Sequence, residues 1–169
     1  MQILQNDCKK TSSVSSDLFR QVMSQFATGV AILTSWDQDK EPLGMTINSL
    51  VSVSLQPSLI MFCLKKGGFF RTKLDVGSSV GVNILGAQQE HLSRHFARYE
   101  TRDWQQVTLE ANERAPQFRG SVGFLAGSVR AIYDGGDHDI MLVEVEGLAH
   151  SEVDQPLIFC RRQFTPIPL

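Results

Sequence analysis

The stretch VGFLAGSVRAIYDGGDHDIMLVEVEGL, residues 122–148, decides the architecture. Residues 122–133 form a β-type run. Asp134-Gly135-Gly136-Asp137 behind them carries hairpin chemistry, because glycine and aspartate accept the backbone angles of a tight turn between twisted strands. Over residues 139–148, Met141, Val143 and Val145 recur at every second position, the period of a strand with one covered face. Two strands joined so directly must run antiparallel.

Working outward, a third β-type segment follows at 157–164. Upstream, VAILTSW (30–36), a turn at 37–40 and a long run over 43–55 closed by Pro57 read as a strand pair. LIMFCL (59–64) is apolar throughout, as in a strand covered on both faces, and Lys65-Lys66-Gly67-Gly68 ends it. VGVNIL (80–85) is another buried strand. Three helices sit among these strands. The first, capped by Ser16 or Asp17 and stopped at Gly29, puts Phe19, Val22, Met23 and Phe26 on one buried face. A short one is expected over 69–76. The third, 88–99, carries Leu92, Phe96 and Tyr99 at helical spacing, and a polar connection containing Trp104 and Pro116 follows it. Strands dominate and no strand–helix–strand unit repeats, so the sequence predicts an antiparallel, mainly β barrel with peripheral helices.

With 169 residues, 42% hydrophobic and 20% charged, the chain suits one globular domain at 16–169 behind a polar, flexible leader at 1–15. Sixteen Lys and Arg against eighteen Asp and Glu leave a net charge of −2, without the basic stripe of a duplex nucleic-acid binder. The three cysteines, Cys8, Cys63 and Cys160, lack metal-site spacing and suit a reducing cytoplasm. No run approaches the roughly 20 apolar residues of a membrane-spanning helix.

Several residues invite chemistry. In a continuous strand over 44–54, Thr46, Asn48, Leu50, Ser52 and Ser54 share one face while Ile47, Val51 and Val53 point the other way. That polar row either meets a ligand or is a solvated face. His138, between Asp137 and Asp139 at the hairpin tip, either reaches a ligand or is a surface turn residue. Ser93, Arg94 and Arg98 could meet phosphate, although a solvated helix face is the commoner meaning. Phe159 and Phe164 are core residues or a stacking surface for a planar ring. Gly120, Gly123 and Gly127 read as places where a strand bends or packs closely. His91 and His95 share a helix face, but Leu92 stands where a zinc-protease helix has Glu and a third ligand is lacking, so no metal is expected. Neither dinucleotide nor P-loop glycine motif is present.

FRQVMSQFATGVAILT from Phe19, GMTINSLVSVSLQPSLIMFCL from Gly44, GVNIL from Gly81, Gln89 with HLSRHFA, GDHDIMLVEVEG from Gly136 and PLIFCRRQF from Pro156 are specific in their order and spacing. Together they resemble the short-chain flavin reductases, the reductase components of two-component flavin-dependent monooxygenases, over almost the whole chain. The resemblance implies an FMN-binding split barrel and a cytoplasmic homodimer with flavin sites near its interface. It implies an NAD(P)H:flavin oxidoreductase that reduces FMN or FAD and supplies the reduced flavin to a separate oxygenase. The absence of an Arg cluster for a 2′-phosphate favours NADH over NADPH. Hydride passes between the two cofactors, so no catalytic side chain is implied. Residues matching Thr46, Asn48 and Ser49 lie beside the flavin ring and ribityl chain in the family. Those matching Ser52, Val53 and Ser54 lie toward the phosphate. Asn83, Ile84, Leu85, Ser93 and Phe96 match further flavin neighbours, His138 matches a histidine associated with nicotinamide, and Arg162 and Phe164 match a terminal Arg and aromatic. Two departures stand out: Gly68 replaces a common serine, and Phe164 replaces a more usual Tyr. The competing expectations are a split-barrel FMN oxidase and a non-catalytic flavin- or haem-binding module.

Overall fold

The computed structural model describes residues 14–98, 103–105, 107–151 and 155–165. In chain order these form helix α1 (Ser16–Met23) and strands β1 (Thr28–Gly29), β2 (Ala31–Trp36), β3 (Pro42–Ile47), β4 (Val51–Leu55), β5 (Ser58–Lys65) and β6 (Ser79–Ile84). Helix α2 (Glu90–Phe96) precedes β7 (Leu109–Glu110), β8 (Gln117–Phe118), β9 (Gly123–Gly135), β10 (His138–His150), β11 (Ile158–Cys160) and β12 (Gln163–Thr165). Among the described residues no helix is long and apolar enough to cross a membrane. The leader lies outside the described residues except for Val14 and Ser15.

The hairpin read from 122–148 is β9–β10, two 13-residue strands turning at Gly136, whose φ is 84°. It forms the centre of a seven-stranded antiparallel sheet in the order β3-β2-β6-β9-β10-β5-β4. The outermost strands, β3 and β4, are consecutive in the chain and only residues 48–50 separate them. Laid flat, six spacings of about 4.8 Å would hold those edges roughly 29 Å apart. Three linking residues span at most about 14 Å between the strand ends. The sheet therefore curls until its edges approach, making a barrel split between β3 and β4. At Gly127 a side chain would stand 2.1 Å from the Glu144 carbonyl, so the close packing expected there requires glycine.

Leu33, Phe62, Leu64, Val80, Val82, Met141 and Val143 fill the barrel. A second cluster, with Ile32, Leu85, Leu92, Phe96, Phe118 and Leu157, lies on the opposite face of β2. Between Ile32, Thr34, Pro116 and Phe118 sits the fully buried Asn83. Its Nδ2 donates to the Ile32 carbonyl (3.4 Å), Thr34 Oγ1 (3.2 Å) and the Pro116 carbonyl (3.2 Å), while its Oδ1 accepts from the Phe118 N–H at 2.7 Å.

Several expectations change. The run 43–55 is two strands on opposite sheet edges rather than one, because Ile47 and Leu50 turn into the core and the chain breaks between them. A register shift between Ser52 and Ser54 further disrupts the alternation. The expected shared face of Thr46, Asn48, Leu50, Ser52 and Ser54 does not form. β5 is covered on one face only: Ile60, Phe62 and Leu64 are buried, while Leu59, Met61 and Cys63 are half-buried. α1 is capped by Ser15, ends well before Gly29, and buries none of its residues; Phe19, Val22 and Phe26 are 58%, 61% and 69% exposed. The helix expected at 69–76 shrinks to the 3-10 turn Arg71–Lys73, because Phe70 and Leu74 on either side are drawn into the core. The third helix opens as a 3-10 turn, Ala87–Gln89, and Tyr99 lies outside the described residues. The segment 157–164 is a hairpin, turning at Arg161 and Arg162 with φ of 50° and 62°. The connection after α2 is not simply polar: Trp104 packs on Phe96 and Phe118.

Replacing Asn83 by Ala strips four partners of a buried bond, and urea denaturation should show about 2–4 kcal/mol lost with an unchanged slope.

Candidate functional site

The end of β3, the outer side of α2 and the β11–β12 hairpin enclose a cleft of about 420 Å3. Gly44 lets these elements meet, since a side chain there would stand 2.7 Å from the Phe96 ring. The Thr46 hydroxyl donates to the Ser93 carbonyl at 2.8 Å and ties β3 to α2. Behind α2, Phe96 rests edge-on against Trp104, with ring centroids 4.9 Å apart. The third wall is aromatic: Phe159 and Phe164 lie 5.2 Å apart, with the Arg94 guanidinium 4.8 Å from the Phe164 ring centre. The hairpin carrying that wall is pinned to β1 by strand pairing and to the end of α1 by the Arg161 N–H donating to the Ser24 carbonyl at 2.7 Å.

Thr46, Asn48, Ser93 and Phe164, proposed from sequence, meet in this cleft. Arg162 lines a second cavity of about 510 Å3 that shares Asn48 and Phe159 with the first and is walled by Phe19, Met23 and Phe26. The other expected positions lie elsewhere. Ser49 accepts from the Cys63 N–H at 3.0 Å and so fastens the link to β5. Ser52 and Val53 are exposed on edge strand β4, and Ser54 Oγ accepts from the Gln56 N–H. The Asn83 amide is committed to the core, Leu85 and Phe96 are buried in the second cluster, and Ile84 is half-buried. Among the described residues no three His, Cys, Asp or Glu side chains converge on a point that could hold a metal.

His138 stands at the tip of β9–β10, half-exposed, with Nδ1 2.8 Å from the Asp137 carboxylate. That hydrogen bond is the chief reason Asp137 titrates below its ordinary value. An ionised carboxylate only accepts, so Nδ1 carries the proton and Nε2 is left for another partner. Charges brace the tip: Arg71 Nε donates to Asp139 at 2.6 Å, and Lys66 pairs with Asp134. The Lys66 hydrogen bond holds Asp134 low, and its counterpart holds Lys66 high. Sequence reading missed this brace because Arg71 and Asp139 are 68 residues apart and nothing local marks either as half of a pair. The cleft residues Val30, Ile47 and Ala97 were equally unmarked, being apolar positions in elements that read as core.

The family model described as flavin reductase like domain matches residues 23–168. An NADH-dependent FAD reductase of Streptomyces globisporus is 37% identical over 135 residues, covering 75% of this chain and 71% of the relative. The reductase subunit of a flavin-dependent monooxygenase of Rhodococcus jostii is 31% identical over 154 residues, covering 88% of this chain and 76% of the relative. The solved NADH:FAD oxidoreductase of Streptomyces globisporus, in complex with NAD and FAD fragments, superposes with a TM-score of 0.83 at 33% identity, over 89% of this chain and 91% of that one.

The depressed Asp134 pKa makes its pairing with Lys66 a stabilising contribution that is present above the unfolded-state value and lost as pH falls through the folded one. Thermal melts should therefore show an acid-side loss below about pH 4 that Asp134→Asn reduces.

Proposed function

The chain belongs to the flavin reductase-like family, and from that footing we propose that it oxidises NADH, reduces free FMN or FAD, and passes the reduced flavin to a separate monooxygenase. The observation carrying this reading is the meeting of Thr46, Asn48, Ser93 and Phe164 in one cleft. They come from three separate parts of the chain; the resemblance had matched Thr46, Asn48 and Ser93 to flavin neighbours and Phe164 to a terminal aromatic. About 420 Å3 lies within the range of small-molecule sites, roughly 300–1,000 Å3. Hydroxyl and amide groups beside Val30, Ile47 and two phenyl rings suit a planar heteroaromatic ring with a polyhydroxyl tail.

Bound flavin supplies the redox chemistry by accepting hydride at N5. The protein's task is positioning, and no side chain has to move a proton. Phe164 offers a face for stacking, backed by Phe159. The Thr46 hydrogen is spent on the Ser93 carbonyl, which leaves its oxygen as an acceptor toward the cleft. Asn48 supplies both a donor and an acceptor at the split between the barrel edges. His138, with Nε2 outward on a braced tip, binds the nicotinamide dinucleotide.

The working form is a homodimer. Supporting this are the uncovered apolar residues of α1 and the half-covered outer face of β5, apolar surfaces that a second copy can bury. Free thiols at Cys63 and Cys160 support a cytoplasmic setting.

Oxidation of NADH, followed at 340 nm with FMN, FAD or no added flavin, should be fast only when flavin is supplied. Silence with NADH and NADPH alike would overturn the reading in favour of an FMN oxidase or a binding module. In the same assay His138→Ala should raise KM for NADH about tenfold with flavin affinity retained, and an unchanged KM would remove His138 from the site. Sedimentation should give a dimer at micromolar concentration, and Phe19→Asp with Val22→Asp should yield monomer; a wild-type monomer with full activity rules the dimer out.

A further inference from the structure

The positions that the resemblance assigned to the flavin and the dinucleotide do not include Arg94 or Arg98, yet both side chains line the cleft. Arg94 lies in the last turn of α2 and Arg98 in the bend two residues beyond its end, so both border the cleft at the C-terminal end of that helix. Arg94 is engaged by two neighbours. Its Nε and Nη2 both lie 2.7 Å from Glu90 Oε1, and its guanidinium sits 4.8 Å over the Phe164 ring. These contacts use the Nε edge and one flat face of the group and leave donors on the Nη1 side. Arg98 forms no ion pair among the described residues. In a chain of net charge −2, two guanidinium groups therefore flank a cleft whose other polar lining, Thr46, Asn48 and Ser93, is neutral.

We propose that Arg94 and Arg98 form an anion site at the mouth of the cleft that takes a phosphate group of the flavin or of the nicotinamide dinucleotide. The proposal rests on the flavin reductase reading and adds the groups that distinguish phosphorylated ligands from riboflavin. Arginine suits the task because its planar fork matches phosphate oxygens two at a time and also stacks on an aromatic face. Lysine would supply the charge without the fixed geometry. Both groups are exposed, so salt screens the attraction.

Equilibrium binding tests the site without turnover. Riboflavin, FMN and FAD are titrated by flavin fluorescence and NAD+ by calorimetry, against wild type and the double variant Arg94→Ala with Arg98→Ala. The double variant should lose about tenfold in affinity for at least one phosphate-bearing ligand and none for riboflavin, whose retained binding also reports an intact cleft. A loss with FMN and FAD assigns the site to the flavin phosphate, and a loss with NAD+ alone assigns it to the dinucleotide. Added salt should weaken the affected ligand more for wild type than for the variant. A parallel loss of riboflavin overturns the proposal by showing that the arginines only shape the cleft. Unchanged affinity for all four ligands overturns it while leaving the functional reading in place. A wild-type protein that binds none of the four overturns both.

Discussion

Asn48, Ser49 and Leu50 join the two outermost strands of a seven-stranded sheet, and most of the architecture follows from the shortness of that tie. A sheet whose edges are held this close must curl, and curling gathers residues of β2, β3, β5, β6, β9 and β10 into one core. The same three residues cannot all remain strand-like. Leu50 packs against the core, Ser49 bonds the backbone of β5, and Asn48 is left exposed at the split. The constraint that closes the barrel thus presents a donor and acceptor pair where the cleft opens.

A second layer turns the closed barrel into a site. β2 is buried on both faces, serving the barrel with Leu33 and the outer cluster with Ile32. Asn83 locks the polar backbone of that outer layer, joining β6 to the connection at Pro116 and Phe118 through a fully satisfied amide. Against this rigid floor α2 is fixed from behind by Phe96 and from the side by Thr46, so Arg94 is presented from a packed element.

Local signals were legible in the sequence and distant ones were not. The β9–β10 hairpin could be read because its turn residues and period-two pattern lie within one short stretch. The apolar run at 59–64 gave the strand but not its one-sided burial, since hydrophobicity does not say whether the cover belongs to the same chain. The first helix failed in the same way: its spacing predicted an apolar face correctly, yet none of the described residues covers that face. The polar row at 46–54 misled because alternation was read across a break that only the curled sheet imposes. Within the cleft, motif resemblance identified Thr46, Asn48, Ser93 and Phe164, whereas Ile47 and Val30 look like any core position. The brace at the His138 hairpin depends on Lys66 and Arg71, whose partners are brought near only by strand pairing between β5, β9 and β10.

The pairing of β11 with β1 also sets an order of assembly. Every strand of the seven-stranded sheet precedes residue 151, while the phenyl wall of the cleft arrives with residues 158–165. During synthesis the barrel can close first, and the last hairpin then returns to a strand laid down near the start of the chain. A ligand held between those walls favours only chains that have completed this return, so its free concentration sets how far the finished molecule outweighs its unfinished forms.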